Sequence, residues 1–441
     1  MSGQFKLLSE RRFLPLFITQ FLGAFNDNVL KNAMVILITF QGARMSSIDP
    51  ALMVNACAGL FILPFFLFSA TAGQLADKYD KSRLIRLVKQ LEIGIMIIAA
   101  VGFWLPSLPL LLIALFLMGM HSTLFGPLKY SILPQHLREN ELIGGNALIE
   151  SGTFLAILLG TILGGTLIGL GEDGRHYASA ACFSIAVLGY LASRGVPSAP
   201  APAPALRVNW NPLTETWRNL GFTRQNRSVF LSILGISWFW FYGAMFLSQF
   251  PAFAKDHLGG NESVVTLLLA IFSVGIGLGS LLCEKMSRQQ VEPGIVPLGS
   301  IGLTVFAIDL YFATPAAGGI SGLSATQFLA QPGSLRVLAD LVLIGVFGGF
   351  YCVPLYALVQ TRSEASHRSR VIAGNNILNA LFMVIAAVLA IVLLGAGCSV
   401  PQLFLITALL NALVAAYIYT LRPEFINRFF KWLARKPVDV Q

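Results

Sequence analysis

Charge is what this sequence has least of. Of its 441 residues only 12% are Asp, Glu, Lys or Arg, about half the share usual in a soluble domain. A chain of this length could form two or three soluble domains, but so little charge cannot coat their surfaces. Paired cysteines are missing as well. Cys57, Cys182, Cys283, Cys352 and Cys398 are odd in number and scattered through apolar sequence, with no metal-ligand spacing, so neither a disulfide framework nor a metal site is implied. Catalytic motifs are equally scarce: there is no G-x-S-x-G, no P-loop and no paired Cys/His set. The sequence therefore offers an enzyme little chemistry, and no cofactor is expected.

What is present is apolar sequence, 56% of the chain, arranged in long runs. About 20 residues of helix cross the hydrocarbon core of a bilayer. Twelve such runs are legible, at 14–40, 51–76, 84–104, 107–129, 143–169, 177–194, 228–253, 263–284, 293–313, 335–359, 370–395 and 401–421. Turn formers separate them, among them Asp49-Pro50, Pro106, Gly171 to Gly174 and Ser399-Val400-Pro401. The third and ninth runs carry charge at or inside their ends. The first run is too long for a signal-peptide core and no A-x-A site follows it.

The longest polar break, 196–227, divides the chain six and six. It opens with alternating Pro and Ala to Ala205, which favours extended polyproline backbone, and Trp210 to Arg224 reads as a short surface helix. The two halves echo each other. Pro127-Leu128-Lys129-Tyr130 and Asn146 to Glu150 match Pro354-Leu355-Tyr356 and Asn375 to Asn379. Gly73 to Lys78 likewise matches Gly279 to Lys285. Three matches in the same order indicate a duplicated six-helix unit. The expected domains are a first bundle at 1–195, a linker at 196–227, a second bundle at 228–421 and an amphipathic tail at 422–441.

With both termini cytoplasmic, 25 of the 30 Lys and Arg fall on the cytoplasmic side. Arg44, Arg175, Lys255 and Arg336 lie outside, and Lys31 lies within the first run. That bias fixes the orientation and places the net charge of +9 against an anionic inner leaflet. Nucleic acid drops out as a partner. In the tail, Phe425, Phe429 and Trp432 share one helical face opposite Arg and Lys, the pattern of a helix lying on a membrane surface.

A charge inside the membrane has to face a cavity or a partner. The first run is densest in such groups: Gln20, Asn26, Asp27, Asn28, Lys31 and Asn32. Lys31 follows Asp27 at i+4, where acid and base meet on one face. Asn146 and Glu150 share a face of the fifth run. Lys129 and Tyr130 end the fourth, after what reads as a helix break at Gly126-Pro127, and Asn375 and Asn379 are the neutral equivalents in the second half. Asp309, Glu92 and His121 are weaker candidates.

The loop Gly73-x-Leu-Ala-Asp77-Lys78-x-x-Lys81, with Arg83, resembles the gating loop of the major facilitator superfamily, with Asp80 where Gly is usual. Four further segments are similar to the bacterial lysophospholipid transporter family: Gln20 to Asn28, Pro127 to Leu133, Asn146 to Ser151 and Gly348 to Leu358. The resemblance implies an all-α membrane protein with the major facilitator fold, twelve transmembrane helices in two six-helix bundles. It implies a lysophosphatidylethanolamine-type substrate moved from the outer to the inner leaflet of the bacterial inner membrane for re-acylation, with any acyltransferase a separate protein. Asp27 and Glu150 would then hold the ammonium, and Lys129 and Lys31 the phosphate. Trp238, Phe241, Met245 and Phe350 would line the acyl path. The rival readings are a proton-coupled exporter of drugs or metabolites, and a membrane scaffold for an acyltransferase.

Overall fold

The computed structural model describes residues 3–45, 50–288, 290–315 and 321–434. The turn residue Asp49 and the basic end of the tail, Arg435 and Lys436, lie outside them. Twelve long helices follow the twelve apolar runs: α1 Leu14–Met45, α2 Pro50–Lys78, α3 Lys81–Trp104, α4 Leu108–Ser131, α5 Leu142–Ile168, α6 Gly174–Ser193, α7 Arg227–Ala252, α8 Glu262–Met286, α9 Ile295–Ala313, α10 Ser334–Arg362, α11 Arg368–Gly395 and α12 Val400–Leu421. Among the described residues the only strand-like pairing is one bridge, Gly260 to Leu323.

Eleven of these helices are long and apolar enough to cross a membrane. The twelfth, α3, has Lys81, Arg83, Arg86, Lys89 and Glu92 in its first half, yet buries Ile85, Val88, Ile95, Met96, Ala99 and Phe103 along one face. Helix starts follow side-chain chemistry. Ser399 and Gln402 form a reciprocal capping box at α12. Pro127 does not break α4, which runs on to Ser131. Neighbouring helices tolerate such a proline in a membrane span because other groups take up the freed backbone.

The chain forms two compact units. The first comprises Met1–Arg138, Leu155–Arg227 and Gln360–Ala380; the second comprises Glu139–Phe154, Ser228–Val359 and Leu381–Gln441. In the first, α4 packs on α2 and α3, and α6 packs on α1 and α3. Leu30, Met34, Leu37, Ile95, Met118 and Ala186 belong to its apolar core. In the second, α12 packs on α9, and α8 meets α10 through glycines. A Cβ on Gly275 would lie 2.4 Å from the Val342 carbonyl, and one on Gly349 would lie 2.3 Å from the Ser280 amide. Small residues let membrane helices approach to backbone contact, where packing replaces the missing hydrophobic drive. Ile143 and Ala147, from the first turns of α5, pack in this unit with Cys283, Ile295, Phe350 and Val353.

The Pro/Ala linker is strapped down along the turn between α2 and α3. The Lys81 amide donates to the Ala199 carbonyl at 3.0 Å, and the Ala203 amide to the Asp77 carbonyl at 2.9 Å. Gln74 bonds both backbone groups of Asn209. Asp80 explains its own departure from glycine. One carboxylate oxygen caps α3 through the Arg83 amide and the Ser82 hydroxyl; the other takes the Ser198 hydroxyl and the Ala199 amide. The surface helix follows at Pro212–Gln225, capped by Asn211.

The tail departs from the membrane-surface reading. In its helix, Glu424–Leu433, Phe425 is 1% exposed and the Trp432 indole donates to the Met286 carbonyl at 2.9 Å. The backbone of Arg428 and Phe429 lies so close to Gly294 that a Cβ there would sit 2.7 Å away. The second unit therefore takes the aromatic face, because its own helix ends offer apolar surface and a free carbonyl. Phe430 and Leu433 remain exposed.

Burial opposes ionisation of Asp80, but its hydrogen bonds from Ser198, Ser82, Arg83 and Ala199 outweigh it and hold the carboxyl at about 2. A carboxyl depressed in the folded state contributes stability above its unfolded pKa and loses it as pH falls through the folded one. The strap should therefore be intact above about pH 4 and loosen towards pH 2. Asp80→Ala should expose the linker at pH 7, raising trypsin cleavage at Arg207, and should cost about 1 kcal/mol of thermal stability through the lost cap. Unchanged cleavage would show that Asp80 does not hold the linker.

Candidate functional site

At 100° per residue, neighbouring polar side chains on α1 point at different helices. The Asn26 amide donates to Glu92 of α3 at 2.7 Å. Asp27 accepts from the Ser122 hydroxyl of α4 at 2.6 Å, and its other oxygen is buried without a hydrogen-bond partner. Asn28 bonds the Ala24 carbonyl of its own helix, and Asn32 reaches the Thr161 carbonyl of α5 at 2.6 Å. Asn26 and Asn32 thus tie α1 to its neighbours, Asn28 bonds within it, and Asp27 keeps an unused oxygen.

The ion pair expected between Asp27 and Lys31 does not form. Ser122 takes the carboxylate, and the Lys31 ammonium lies 4.5 Å from the centre of the Phe61 ring. A cation over an aromatic face is stabilised without a carboxylate. Both residues are half-buried.

Behind them lies a sealed cluster that sequence reasoning ranked low. Lys89 and Glu92, three residues apart on α3, form an ion pair with both side chains at most 1% exposed. His121 of α4 brings Nε2 to 3.2 Å from the Glu92 carboxylate. The Lys89 ammonium lies between two glycines: a Cβ would come within 3.5 Å of it at Gly23 and 2.7 Å at Gly189. Lys89 is therefore not one of the cytoplasmic cations of the charge count. The signal that marks this cluster is the Lys-x-x-Glu spacing past the start of an apolar run. Asp309, the third weak candidate, pairs with Arg336 at 3.1 Å near the surface.

The remaining candidates fall in both units. Lys129 and Tyr130 belong to the first, with the Lys129 ammonium 4.7 Å from the Tyr130 ring centre and the Tyr130 carbonyl accepting from Gln360 at 3.1 Å. Asn375 and Asn379 of α11 are buried in the same unit. Asn375 has no hydrogen-bond partner for either amide atom among the described residues. Asn376, absent from the sequence-based candidates, lies where a Cβ on Gly126 would come to 2.4 Å, so Gly126 makes room for it. Asn146 and Glu150 belong to the second unit. Both are buried, and Asn146 bonds the Leu142 carbonyl one turn back at 2.8 Å.

The aromatics assigned to an acyl path are packing residues. Trp238 stacks on Phe241 at 4.6 Å and donates to Asn411 at 2.8 Å. Met245 is fully buried and Phe350 sits in the apolar core of the second unit.

The loop motif has a defined acceptor. Asp77 receives the Ser369 amide at 3.0 Å, the Arg370 amide at 3.3 Å and the Arg370 guanidinium at 3.0 Å. Ser369 also donates to Ser131 at 3.0 Å. Gly73 is required beside it: a Cβ there would lie 2.7 Å from that of Ala373 and 2.9 Å from the Arg370 Cα. Of the other motif residues, Lys78 rests over Tyr79, Lys81 is buried, and the Arg83 amide is held by Asp80. Removing one partner of a buried pair strands the other. Asp77→Ala and Arg370→Ala should each lower thermal stability by about 3 kcal/mol, and the double variant should cost little more than either alone. Additive losses in a double-mutant cycle would mean the two side chains are not coupled.

The Major Facilitator Superfamily model matches residues 16–340. The lysophospholipid transporter LplT of Klebsiella pneumoniae subsp. pneumoniae is 29% identical over 381 residues, covering 84% of each chain. That of Serratia proteamaculans is 29% identical over 376 residues, again with 84% of each covered. Among solved structures, the human organic anion transporter MFSD10 superposes with a TM-score of 0.74 at 14% identity, over 92% of this chain and 99% of its own. The Escherichia coli fucose:proton symporter FucP gives 0.68 at 13% identity, over 93% and 99%. These two likenesses show the fold.

Proposed function

Because the chain belongs to the Major Facilitator Superfamily, we propose that this multi-pass transporter carries lysophospholipids of the lysophosphatidylethanolamine type. In this reading they move from the outer to the inner leaflet of the bacterial inner membrane by alternating access. Both termini lie in the cytoplasm, and a separate acyltransferase consumes the lipid delivered.

The observation that carries the proposal is Asp27. It is a half-buried carboxylate in a membrane span with one oxygen satisfied by Ser122 and the other unused. A lone anion of this kind inside a bilayer is costly unless a ligand completes it, and the ammonium of an ethanolamine headgroup supplies the missing donor. One turn away, Lys31 is neutralised by no carboxylate within ion-pair distance among the described residues, which suits it to the headgroup phosphate. Lys129 provides a second cation in the same unit. The relatives named for lysophospholipid transport support the same substrate class. Asp77 and Arg370 act in this scheme as the latch of the gating loop.

Transport of fluorescent lysophosphatidylethanolamine into the inner leaflet of vesicles holding the purified protein tests the reading. Asp27→Asn and Lys129→Ala should each slow it by at least about tenfold, the equivalent of one lost charge-assisted contact, while monodisperse folded protein is recovered. Normal transport by both variants would refute the site, and none by wild type would refute the substrate.

A further inference from the structure

The surface helix Pro212–Gln225 is seated with its polar side inward. Glu215, Asn219 and Thr223, at four-residue spacing, are each 0% exposed, whereas Leu213 is 74% and Trp217 68% exposed. Trp210, just before the cap, is 72% exposed. At 100° per residue Leu213, Trp217, Leu220 and Arg224 form the stripe opposite the seat. A helix bathed by water on its outer side has the reverse arrangement. Rolling this one about its axis would bury the leucine and the indole and return Glu215 and Asn219 to solvent. The observed roll is also the costlier one for its polar groups. Glu215 Oε1 and both amide atoms of Asn219 are buried with no hydrogen-bond partner among the described residues. Something other than water therefore meets the outer side.

Depth identifies what it is. Asn209, at the approach to the helix, bonds Gln74, which lies four residues from the end of α2. Thr223 and the Asn219 carbonyl face Gly374, six residues from the start of α11, and a Cβ there would lie 2.9 Å from Thr223 Cγ2. The helix thus runs alongside the last about 6–9 Å of two membrane spans and not beyond them. That is the headgroup level, where Trp is concentrated and where an amphipathic helix rests its apolar face. The charge fits the same surroundings. Residues 194–227 hold five arginines and a single acid, Glu215, which is sealed in the seat. Arg207, Arg218 and Arg224 of this stretch are exposed.

We propose that this helix is a docking surface for anionic phospholipids, in the leaflet on the side where the Lys and Arg of the chain are concentrated. Trp210, Leu213 and Trp217 enter the boundary between headgroups and acyl chains, and the arginines pair with lipid phosphates. Docking of this kind needs no particular cargo. On the seated side, the Phe222 ring stacks with His367 at 4.7 Å and lies 4.6 Å from the Arg370 guanidinium, the group that holds Asp77. Lipid that steadies the outer face of the helix therefore steadies the start of α11 as well.

Full-length protein in lipid nanodiscs provides the test. Emission from Trp210 and Trp217 is read as the difference between wild type and the double variant Trp210→Phe, Trp217→Phe. Phosphatidylglycerol brominated near the top of its chains should quench that emission, and phosphatidylcholine brominated at the same carbons should quench it less. Arg207→Gln, Arg218→Gln and Arg224→Gln should each weaken the preference for phosphatidylglycerol by up to about fivefold. High salt should weaken it in the same sense. Indoles that acrylamide reaches and neither bromolipid quenches would overturn the proposal and leave the face to a protein partner. Equal quenching by the two lipids would overturn it too, as a plain apolar contact without recognition of charge.

A second measurement needs no variant. In wild-type protein, trypsin cleavage after Arg218 and Arg224 should slow when phosphatidylglycerol replaces phosphatidylcholine in the disc. Cleavage indifferent to that exchange would sink the idea.

Discussion

A charge carried into hydrocarbon must find its counterpart inside the protein, because no water or lipid tail will supply one. The first unit is organised by that constraint. Lys89 and Glu92 satisfy each other within α3, and Asn26 and His121 join α1 and α4 to the same carboxylate. Three helices are therefore pinned at one level by a single anion. Gly189 makes room for the lysine, since a Cβ there would lie 2.7 Å from its ammonium, and Gly23 borders it at ordinary contact distance. The apolar core around it, from Met34 to Ala186, fills the remaining space without specifying register. Polar contacts of this kind fix which faces meet, while dispersion and small-residue packing hold the helices together.

The same constraint separates the polar residues by role. Asn28, Asn32 and Asn146 bond helix carbonyls and so act as structural ties. Asp77 is saturated by two amides and a guanidinium, leaving no capacity for a ligand but a strong hold on the start of α11. Asp80 uses both oxygens to fasten the linker. Asp27 keeps one carboxylate oxygen in reserve. An unused polar atom in an otherwise satisfied interior costs free energy at rest and can be recovered by a ligand. Asp27 stands apart from the other carboxylates for that reason, and not because it is charged or buried.

The helices were legible because length and hydropathy alone define them, and the observed ends fall within a few residues of the apolar runs. The repeated glycines, by contrast, meet different helices: Gly73 lies against Arg370 and Ala373 at the start of α11, and Gly279 against Val346 of α10. The partners of the charges were harder to read. Asp27 and Lys31 at i+4 fit a local pair, yet each found a better neighbour on another helix, Ser122 and Phe61. Local spacing states which groups can meet along one helix and is silent about what adjacent helices offer. Lys89 was hidden for a different reason. Near the start of a span, a lysine three residues after Arg86 reads as one more cytoplasmic cation until Glu92 is seen to face the same way. The tail shows the converse: its amphipathic pattern was read correctly, but a helical aromatic face fits a protein groove as well as a lipid surface.

The fold by itself does not choose a cargo, since an organic anion transporter and a fucose symporter share it at about one residue in seven. The choice has to come from side chains, and here they are divided by depth. Asp27 and Lys31 are half-buried and of opposite sign; Lys89, Glu92 and His121 are sealed behind them. A zwitterionic headgroup matches the outer pair. The sealed set is out of a headgroup's reach and instead holds α1, α3 and α4 together, so that Ser122, next to His121 on α4, meets Asp27. Rigidity and recognition are thereby divided: the sealed ions fix the helices that present the half-buried pair, and that pair is left to meet a cargo.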